Sequence, residues 1–417
     1  MPAPRDEHLA LDPTALDPTG RHLQAQAREW RTTAAAVRAD LPGGIPAWVV
    51  TRHADLRALL TDPHVSKDPR RHWSKWGTGE IPPDWTLLQW VGVDNMFTAY
   101  GDAHRRLRGV LSQAFTARRV EALRPRVAAI TGELLDALAA RPGDEPVDLR
   151  ATFTYPLPIR VISELFGVPE GTEAELRDIV DAVFRTTSAD EAVAVAGRME
   201  AFLRELLARK RAEPAEDLTT TLLTAEADPP LSERELADTL ILLLGAGHET
   251  TVNLLGHAVT ALLAHPDQLA LLRGGEVGWD RAIEEALRWQ PPLANLPLRF
   301  AVQDLVLSDG TTIPRGEAIL AGYAGANRDP EVFGTDADRF DLTRDDQDQH
   351  LAFGHGVHFC LGAPLARLEA GIALPALFDR FPDLALAAHP DHLLPLESFI
   401  GNGFQSLPVR LGSVTAG

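Results

Sequence analysis

The sequence has a single cysteine, Cys360, among its 417 residues. One cysteine excludes an intrachain disulfide, which fits a reducing compartment. Long hydrophobic runs are lacking too, since the longest near the centre, LILLLGAG at residues 240–247, is far too short to cross a bilayer. The N-terminus contains no basic segment followed by an apolar one, so we expect no secretion signal. We therefore expect a cytoplasmic protein without a membrane segment.

Basic residues are in the minority. Lys and Arg number 40 and Asp and Glu 59, which gives a formal net charge of −19 at pH 7. So acidic a chain repels phosphate backbones, and nucleic acid is not an expected partner. The hydrophobic share, 45%, is typical of a packed globular protein. Because no repeat of fixed period and no linker divides the chain, we predict one domain over residues 1–417.

Helical periodicity dominates the sequence. Apolar residues recur three or four positions apart in residues 54–60, 103–115, 120–140, 157–166, 174–184 and 191–210. A capping box formed by Ser232 and Glu235 predicts the start of a long helix that ends near Ala264. Two more helices are predicted for residues 279–290 and 364–381.

Strand patterns are confined to short stretches. Residues 299–323 alternate between apolar and polar, with turns at Asp309-Gly310 and Pro314-Arg315-Gly316, and predict short antiparallel strands. Residues 398–411 predict a hairpin. The fold class predicted is mainly α with a minor β portion, a single large helical domain with small antiparallel sheets.

Cys360 lies in the stretch FGHGVHFCLG, residues 353–362, just before the last predicted helix. A lone cysteine is most often a small buried hydrophobic residue. It is a candidate nucleophile if His355 or His358 serves as its base. It is also a candidate metal ligand, because the N–H groups at a helix start stabilise a thiolate.

The local sequence favours the ligand. Glycines at positions 354, 356 and 362 allow the backbone to lie against something large. A zinc site would need a second pair of ligands, which has no obvious counterpart here. A haem brings its own four nitrogens and needs only one thiolate from the protein.

The stretch resembles the F-G-x-G-x-H-x-C-x-G haem-binding loop of the cytochrome P450 superfamily, and all of the fixed positions match. The resemblance implies that Cys360 is the proximal ligand of the haem iron, that Phe353 packs near it and that His358 reaches a haem propionate. It further implies the cytochrome P450 fold, haem b (iron protoporphyrin IX) as the cofactor and a haem-binding core at about residues 100–370.

A second motif, AGHET at residues 246–250, lies inside the long predicted helix. Its His-Glu pair hints at a zinc peptidase, but the second histidine of that motif is missing. The motif is similar to A/G-G-x-D/E-T of the P450 superfamily. By this resemblance Ala246 and Gly247 leave room for O₂, Thr250 hydrogen-bonds the dioxygen, and Glu249 relays protons to it. Helix–helix packing is the alternative explanation for the glycine.

Glu285 and Arg288 form an E-x-x-R pair on a predicted helix. Taken alone this is a surface ion pair that contributes at most about 0.5 kcal/mol. The resemblance implies a structural role instead, in which the pair joins a later arginine, matched by Arg339, to brace the haem-binding core.

His104 and Arg108 are four residues apart and hence on one helix face. A solvated face is the ordinary explanation, whereas the resemblance assigns both residues, with Arg299, to the haem propionates. The resemblance also suggests a docking surface for an acidic ferredoxin, which would consist of Arg105, Arg106, Arg118 and Arg119.

Substrate contacts are expected, by family position, from apolar residues. The expected pocket residues are Leu242, Leu243, Leu293, Leu296 and Phe399. A pocket with few charges suits a sizeable apolar molecule such as a steroid, terpenoid or polyketide/macrolide. The HETT sequence at residues 248–251 resembles an actinobacterial, soluble bacterial branch that includes steroid and macrolide hydroxylases.

The resemblance as a whole implies a haem-thiolate monooxygenase that uses O₂ and takes electrons from NAD(P)H through ferredoxin reductase and ferredoxin. A peroxide-dependent hydroxylase should lack the acid–alcohol pair, and a non-catalytic haem-binding recruiting subunit typically lacks the cysteine or the E-x-x-R pair. All of these residues are present here, so both alternatives rank lower. A thiol hydrolase without haem ranks lower still.

Overall fold

The computed structural model describes residues 15–141, 145–169, 171–172, 174–176, 178–179 and 189–415. Within these ranges, no helix has the length and apolar character that crossing a membrane requires.

Helices make up most of the described chain. They are α1 (Leu23–Thr33), α2 (His53–Thr61), α3 (Pro69–His72), α4 (Leu88–Val91), α5 (Asp102–Ala114), α6 (Ala117–Ala122), α7 (Arg124–Ala139), α8 (Pro156–Phe166), α9 (Ala189–Ala212), α10 (Leu218–Leu223), α11 (Glu233–Ala264), α12 (Pro266–Arg273), α13 (Trp279–Trp289), α14 (Tyr323–Ala326), α15 (Pro330–Phe333) and α16 (Ala363–Arg380). A π-helical turn at Arg150–Thr154 precedes α8.

The strands are short. They are β1 (Ala36–Leu41), β2 (Ile45–Val50), β3 (Val65–Ser66), β4 (Val147–Asp148), β5 (Asn295–Ala301), β6 (Leu305–Val306), β7 (Thr312–Ile313), β8 (Ala318–Gly322), β9 (Ala385–Leu386) and β10 (Pro408–Arg410). One sheet has the order β1-β2-β8-β5-β3, a second has the order β4-β10-β9, and β6 pairs with β7. All pairs are antiparallel except β2 with β8.

Helix α11 is the centre of the fold. Its start is fixed by the predicted capping box, in which the Glu235 N–H donates to Ser232 Oγ and the Ser232 N–H donates to Glu235 Oε2. Residues 251–262 are all buried, because α8, α13 and α16 pack around them. The helix therefore forms a rigid support on which the motif at residues 246–250 is held.

The predicted helices were largely confirmed, with one correction. Residues 120–140 form two helices, α6 and α7, because Pro125 occupies the first turn of α7 and cannot donate the N–H that a continuous helix needs. Much of the predicted helix at residues 174–184 lies outside the described residues.

The predicted strands at residues 299–323 were confirmed as parts of β5 to β8, but other β elements differ. Hairpin β1–β2 was missed, although its Gly43-Gly44 turn, with φ angles of +80° and +71°, was a usable signal. The C-terminal hairpin was misplaced. Pairing occurs between residues 394–396 and 403–405, whereas β10 pairs with β4 and β9.

Candidate functional site

The segment that carries Cys360 is a tight loop leading into α16. Gly354 and Gly356 have φ angles of +70° and +71°, in the left-handed region where glycine is favoured. A Cβ at Gly356 would lie 2.4 Å from the Leu60 carbonyl oxygen. The Cys360 N–H donates to the Phe353 carbonyl at 2.8 Å and closes the loop. These glycines therefore shape the loop that presents the cysteine.

Several groups act on the Cys360 sulfur. The side chain is accessible to solvent, yet enough protein surrounds it that burial raises the pKa of the thiol. Four groups oppose this rise in pKa, namely the backbone N–H of Gly362, the Arg108 guanidinium, the backbone N–H of Ala363 and the Arg367 guanidinium. Each of the four stabilises a thiolate at the start of α16. These groups therefore offset part of the cost that burial imposes on a thiolate, the form of cysteine that binds a metal.

A cationic cluster lies beside the loop and consists of Lys67, His104, Arg108, Arg299 and His358. Helix α5 supplies His104 and Arg108, and β5 supplies Arg299. The rings of His104 and His358 are 4.1 Å apart between centroids. The structure thus brings together all four residues that the sequence analysis assigned to propionates, although they come from three separate segments.

Lys67, which follows β3, is the member that the sequence analysis missed. Its side chain is buried, and Nζ lies 3.5 Å from the centroid of the Phe97 ring, a cation–π contact. Burial, with a smaller contribution from Arg299, lowers the pKa of Lys67 well below its ordinary value. No motif surrounds this lysine, so only the folded structure shows its position in the cluster.

The cationic cluster has buried donors without acceptors. Among the described residues, Lys67 Nζ, His104 Nε2 and Arg299 Nη1 are buried and make no hydrogen bond. Burial and the neighbouring cations lower the pKa of His104 to about 4 and hold that of His358 well below its ordinary value. Buried donors of this kind are costly unless acceptors compensate them. The cluster therefore fits an anionic ligand with several oxygens, such as the two propionates of a haem.

The motif at residues 246–250 lies near the middle of α11. The Thr250 hydroxyl donates to the Ala246 carbonyl at 2.6 Å. A Cβ at Gly247 would lie 2.9 Å from Ile162 Cδ1, so the glycine lets α8 pack closely against α11. Gly247 therefore takes part in helix packing, and its role in leaving room for O₂ stays a prediction.

Glu249 is held by an arginine that the sequence analysis did not single out. Arg150, in the π-helical turn before α8, places Nη2 at 2.9 Å from Glu249 Oε1. Both side chains are largely buried, with 15% and 13% of their surface exposed. The arginine could not be assigned from sequence because it lies 99 positions away.

His248 is a buried core residue. Its ring packs edge-on against Tyr155 with centroids 4.3 Å apart, and Nε2 lies 3.3 Å from the Tyr155 carbonyl oxygen. Burial, assisted by the positive charge of Arg150, lowers the pKa of His248 to about 3. Within the described ranges, no three His, Cys, Asp or Glu side chains gather in a way that suits a metal ion.

Glu285 and Arg288 form a fully buried ion pair, which overturns the surface explanation. Two bonds of 2.7 Å join the guanidinium to the carboxylate. Arg288 also donates to the carbonyls of Asn327 and Ala337, so one side chain ties α13 to the chain that follows α14. These hydrogen bonds of Arg288 offset the free-energy cost of burying its charge and that of Glu285.

Arg339 contributes to this brace through its backbone alone. Its carbonyl accepts a 2.7 Å hydrogen bond from Arg288, while its side chain is exposed. The arginine that approaches Glu285 is Arg344, whose buried Nε lies 3.8 Å from Glu285 Oε1. The prediction of Arg339 as the third side chain was wrong, because a local motif does not tell which nearby arginine turns inward.

The five predicted pocket residues do not form one hydrophobic cluster. Leu293 and Phe399 pack with the cluster around Trp73 and Trp85. Leu243 packs with the cluster formed by α8, α9 and α11, and Leu296 packs with the cluster around β8. Leu242 is half-buried on α11. Their role as substrate contacts stays a prediction.

Comparison with known proteins identifies the family. The cytochrome P450 family model matches residues 279–390, which include the E-x-x-R pair and the cysteine loop. The 2-hydroxy-5-methyl-1-naphthoate 7-hydroxylase of Streptomyces carzinostaticus is 42% identical over 96% of this chain and 97% of its own length. The 6-deoxyerythronolide B hydroxylase of Saccharopolyspora erythraea is 39% identical over 92% of this chain and 96% of its own length.

Solved structures share the fold. CYP154A1 from Streptomyces coelicolor A3(2) is 51% identical, covers 95% of this chain and 99% of its own, and gives a TM-score of 0.89. Testosterone-bound CYP154C4 from Streptomyces sp. ATCC 11861 is 41% identical, with 96% and 99% coverage and a TM-score of 0.92. The chain therefore belongs to the cytochrome P450 family and is a monooxygenase of the bacterial type, built to use a haem iron and O₂.

Proposed function

We propose that this monooxygenase hydroxylates a sizeable apolar small molecule of the polyketide, macrolide or steroid type, with Cys360 as the thiolate ligand of haem b. The observation that carries the proposal is the exposure of the Cys360 sulfur and the set of groups that surround it. The sulfur is accessible at the start of α16, and although burial raises the pKa of the thiol, two N–H groups and two guanidinium groups counteract that rise. Two relatives are named as hydroxylases of 2-hydroxy-5-methyl-1-naphthoate and of 6-deoxyerythronolide B, and these names support the substrate class.

The residues that would hold the haem surround the loop. Cys360 would bind the haem iron, and the cationic cluster would hold the two propionates, with Arg108 and Arg299 as charged partners and Lys67 as a further buried donor. His104 and His358 would donate hydrogen bonds to the propionates, since their rings face each other within the cluster and His104 Nε2 has no other acceptor among the described residues. The haem, when bound, supplies the chemistry that activates O₂ and inserts one oxygen atom into a C–H bond.

Two neighbouring side chains of α11 would supply protons to O₂. The Thr250 hydroxyl, which donates to the Ala246 carbonyl at 2.6 Å, would be the donor to the dioxygen. Glu249 would resupply the proton, and Arg150 holds its carboxylate in position. Ala246, which is exposed on the same helix, leaves the space that O₂ needs.

Electrons come from NAD(P)H through ferredoxin reductase and ferredoxin, and the protein works in the cytoplasm.

The prediction of four docking arginines for ferredoxin needs one revision. Arg106 is paired with Glu235 and only 17% of its side chain is exposed, so it is unsuited to contact a partner. Arg105, Arg118 and Arg119 are exposed and remain candidates for an acidic ferredoxin.

Spectral titration of the purified holoenzyme tests the substrate class. Steroids, macrolide precursors and naphthoates are added in turn, and the Soret band is followed for the shift that displacement of water from the site produces. Sugars and amino acids of similar size serve as controls. Saturable shifts with the apolar set alone support the proposal. Shifts with the polar set alone would rule out the apolar substrate class.

A further inference from the structure

An ion-pair network lies beside the cysteine loop and is not explained by substrate, propionate or proton binding. Arg367 on α16 donates two hydrogen bonds to Glu284 on α13, of 2.6 Å from Nε and 2.8 Å from Nη2. His350 lies at 3.0 Å from the same carboxylate. The side chain of Glu284 is 17% exposed, so this bidentate pair is geometrically fixed and partly shielded from water.

The network holds the Arg367 guanidinium against Phe353 of the cysteine loop. The Arg367 guanidinium carbon lies 4.6 Å from the centroid of the Phe353 ring, a cation–π contact. The carbonyl of the same phenylalanine accepts the Cys360 N–H at 2.8 Å. Glu284 therefore positions Arg367, and Phe353 contacts the guanidinium through its ring and Cys360 through its carbonyl.

Glu284 keeps the Arg367 guanidinium charged. Its hydrogen bonds raise the pKa of Arg367. The guanidinium lies beside the loop that carries Cys360, because it contacts the ring of Phe353, whose carbonyl accepts the Cys360 N–H. Arg108, the other guanidinium near the loop, belongs to the cationic cluster. Arg367 is not part of that cluster.

We propose that Arg367, positioned by Glu284, raises the reduction potential of the haem by placing a fixed positive charge beside the Cys360 thiolate. The inference rests on the proposed role of Cys360 as the ligand. One-electron reduction adds one negative charge to the iron–thiolate unit and involves no bond change in the protein. A nearby cation stabilises the reduced form more than the oxidised form, so the equilibrium shifts toward reduction.

The two members of the pair have opposite expected effects. Replacing Arg367 with Gln removes the cation and lowers the potential. Replacing Glu284 with Gln removes an anion that partly offsets the cation, so the potential rises. Because 39% of the Arg367 side chain is exposed, solvent limits the effect. We expect a shift of about tenfold at most in the reduction equilibrium, and tenfold corresponds to about 59 mV for one electron.

Potentiometric titration of the substrate-free holoenzyme with dithionite and soluble mediators tests this inference without any redox partner. The variants are R367Q, R367K and E284Q. Arg124 provides the control. It lines the same surface depression as Glu284 and Arg367, but it pairs with Glu121. We expect a lower potential for R367Q, a potential near the wild-type value for R367K, a higher one for E284Q, and no change for R124Q.

Two outcomes would overturn the inference. The first is an unchanged reduction potential in R367Q. The second is a shift of the reduction potential in the same direction in R367Q and E284Q, because a purely structural role of the pair would produce that result. If R367Q does not fold, R367M takes its place, and an unchanged potential in R367M would likewise overturn the inference. A wild-type protein without the spectrum of thiolate-ligated haem would contradict the role of Cys360, whereas an intact spectrum with unmoved potentials would contradict only the role of Arg367.

Discussion

Arg150 and Glu249 form an ion pair of 2.9 Å between the π-helical turn before α8 and the centre of α11. The pair fixes the acid next to Thr250, which follows it directly on the same helix. A carboxylate that transfers protons must be both ionisable and well positioned. The pairing therefore makes Arg150 a positioning residue for the proposed proton relay.

Replacing Arg150 with Gln should reduce product formed per NAD(P)H consumed by about tenfold, because the acid loses its fixed position. R150K should restore part of the coupling. The control is R160Q, since Arg160 pairs with Glu133 at the surface. Equal coupling in R150Q and wild type, measured with a compound that shifts the Soret band, would show that the pair does not support proton transfer.

Arg288 and Arg339 should differ sharply in their effect on stability. R288A leaves the fully buried Glu285 carboxylate unpaired, so the free energy of unfolding should fall by about 3–5 kcal/mol. R339A removes an exposed side chain and keeps the carbonyl that accepts from Arg288, so it should change stability by about 0.5 kcal/mol or less. Chemical denaturation of both variants checks this difference, and a large loss in R339A would restore a structural role for its side chain.

Lys67 should slow the loss of haem. K67M removes one of the buried donors of the cationic cluster, so the transfer of haem to apomyoglobin should be about tenfold faster than in wild type. K75M is the control, because Lys75 pairs with Glu80 away from the cluster. Indistinguishable transfer rates for K67M and K75M would argue that Lys67 does not contact the propionates.

The free energy of unfolding should decrease as the pH is lowered from 6.5. Burial lowers the pKa of His248 to about 3 and that of His257 to about 4, so the folded protein keeps both rings neutral while the unfolded chain binds protons from about pH 6.5 downward. Each histidine should therefore reduce the free energy of unfolding by about 2 kcal/mol between pH 7 and pH 5. Urea denaturation of H248Q at both pH values should show a smaller loss than wild type, whereas H389Q, at an exposed position, should show the full loss. An equal loss in all three proteins would refute this explanation.

Local signals explain which features the sequence predicts well. The capping box of α11 and the glycines around Cys360 act within a few residues of themselves, so a short stretch of sequence is enough to predict their geometry. Arg150 and Lys67 carry no local signal, because their roles come from contacts with distant segments. Arg339 was predicted in place of Arg344 for the same reason, since spacing does not tell which side chain turns inward. That residues 1–417 form one domain stays a prediction.

The most direct test of the central claim is the difference spectrum of the reduced protein with carbon monoxide. If Cys360 is the axial thiolate, wild type gives the Soret band characteristic of thiolate-ligated haem. C360S loses that band, while a variant of the neighbouring loop histidine, H355Q, retains it. A wild-type protein without this band, or a C360S variant that keeps it, would contradict the account.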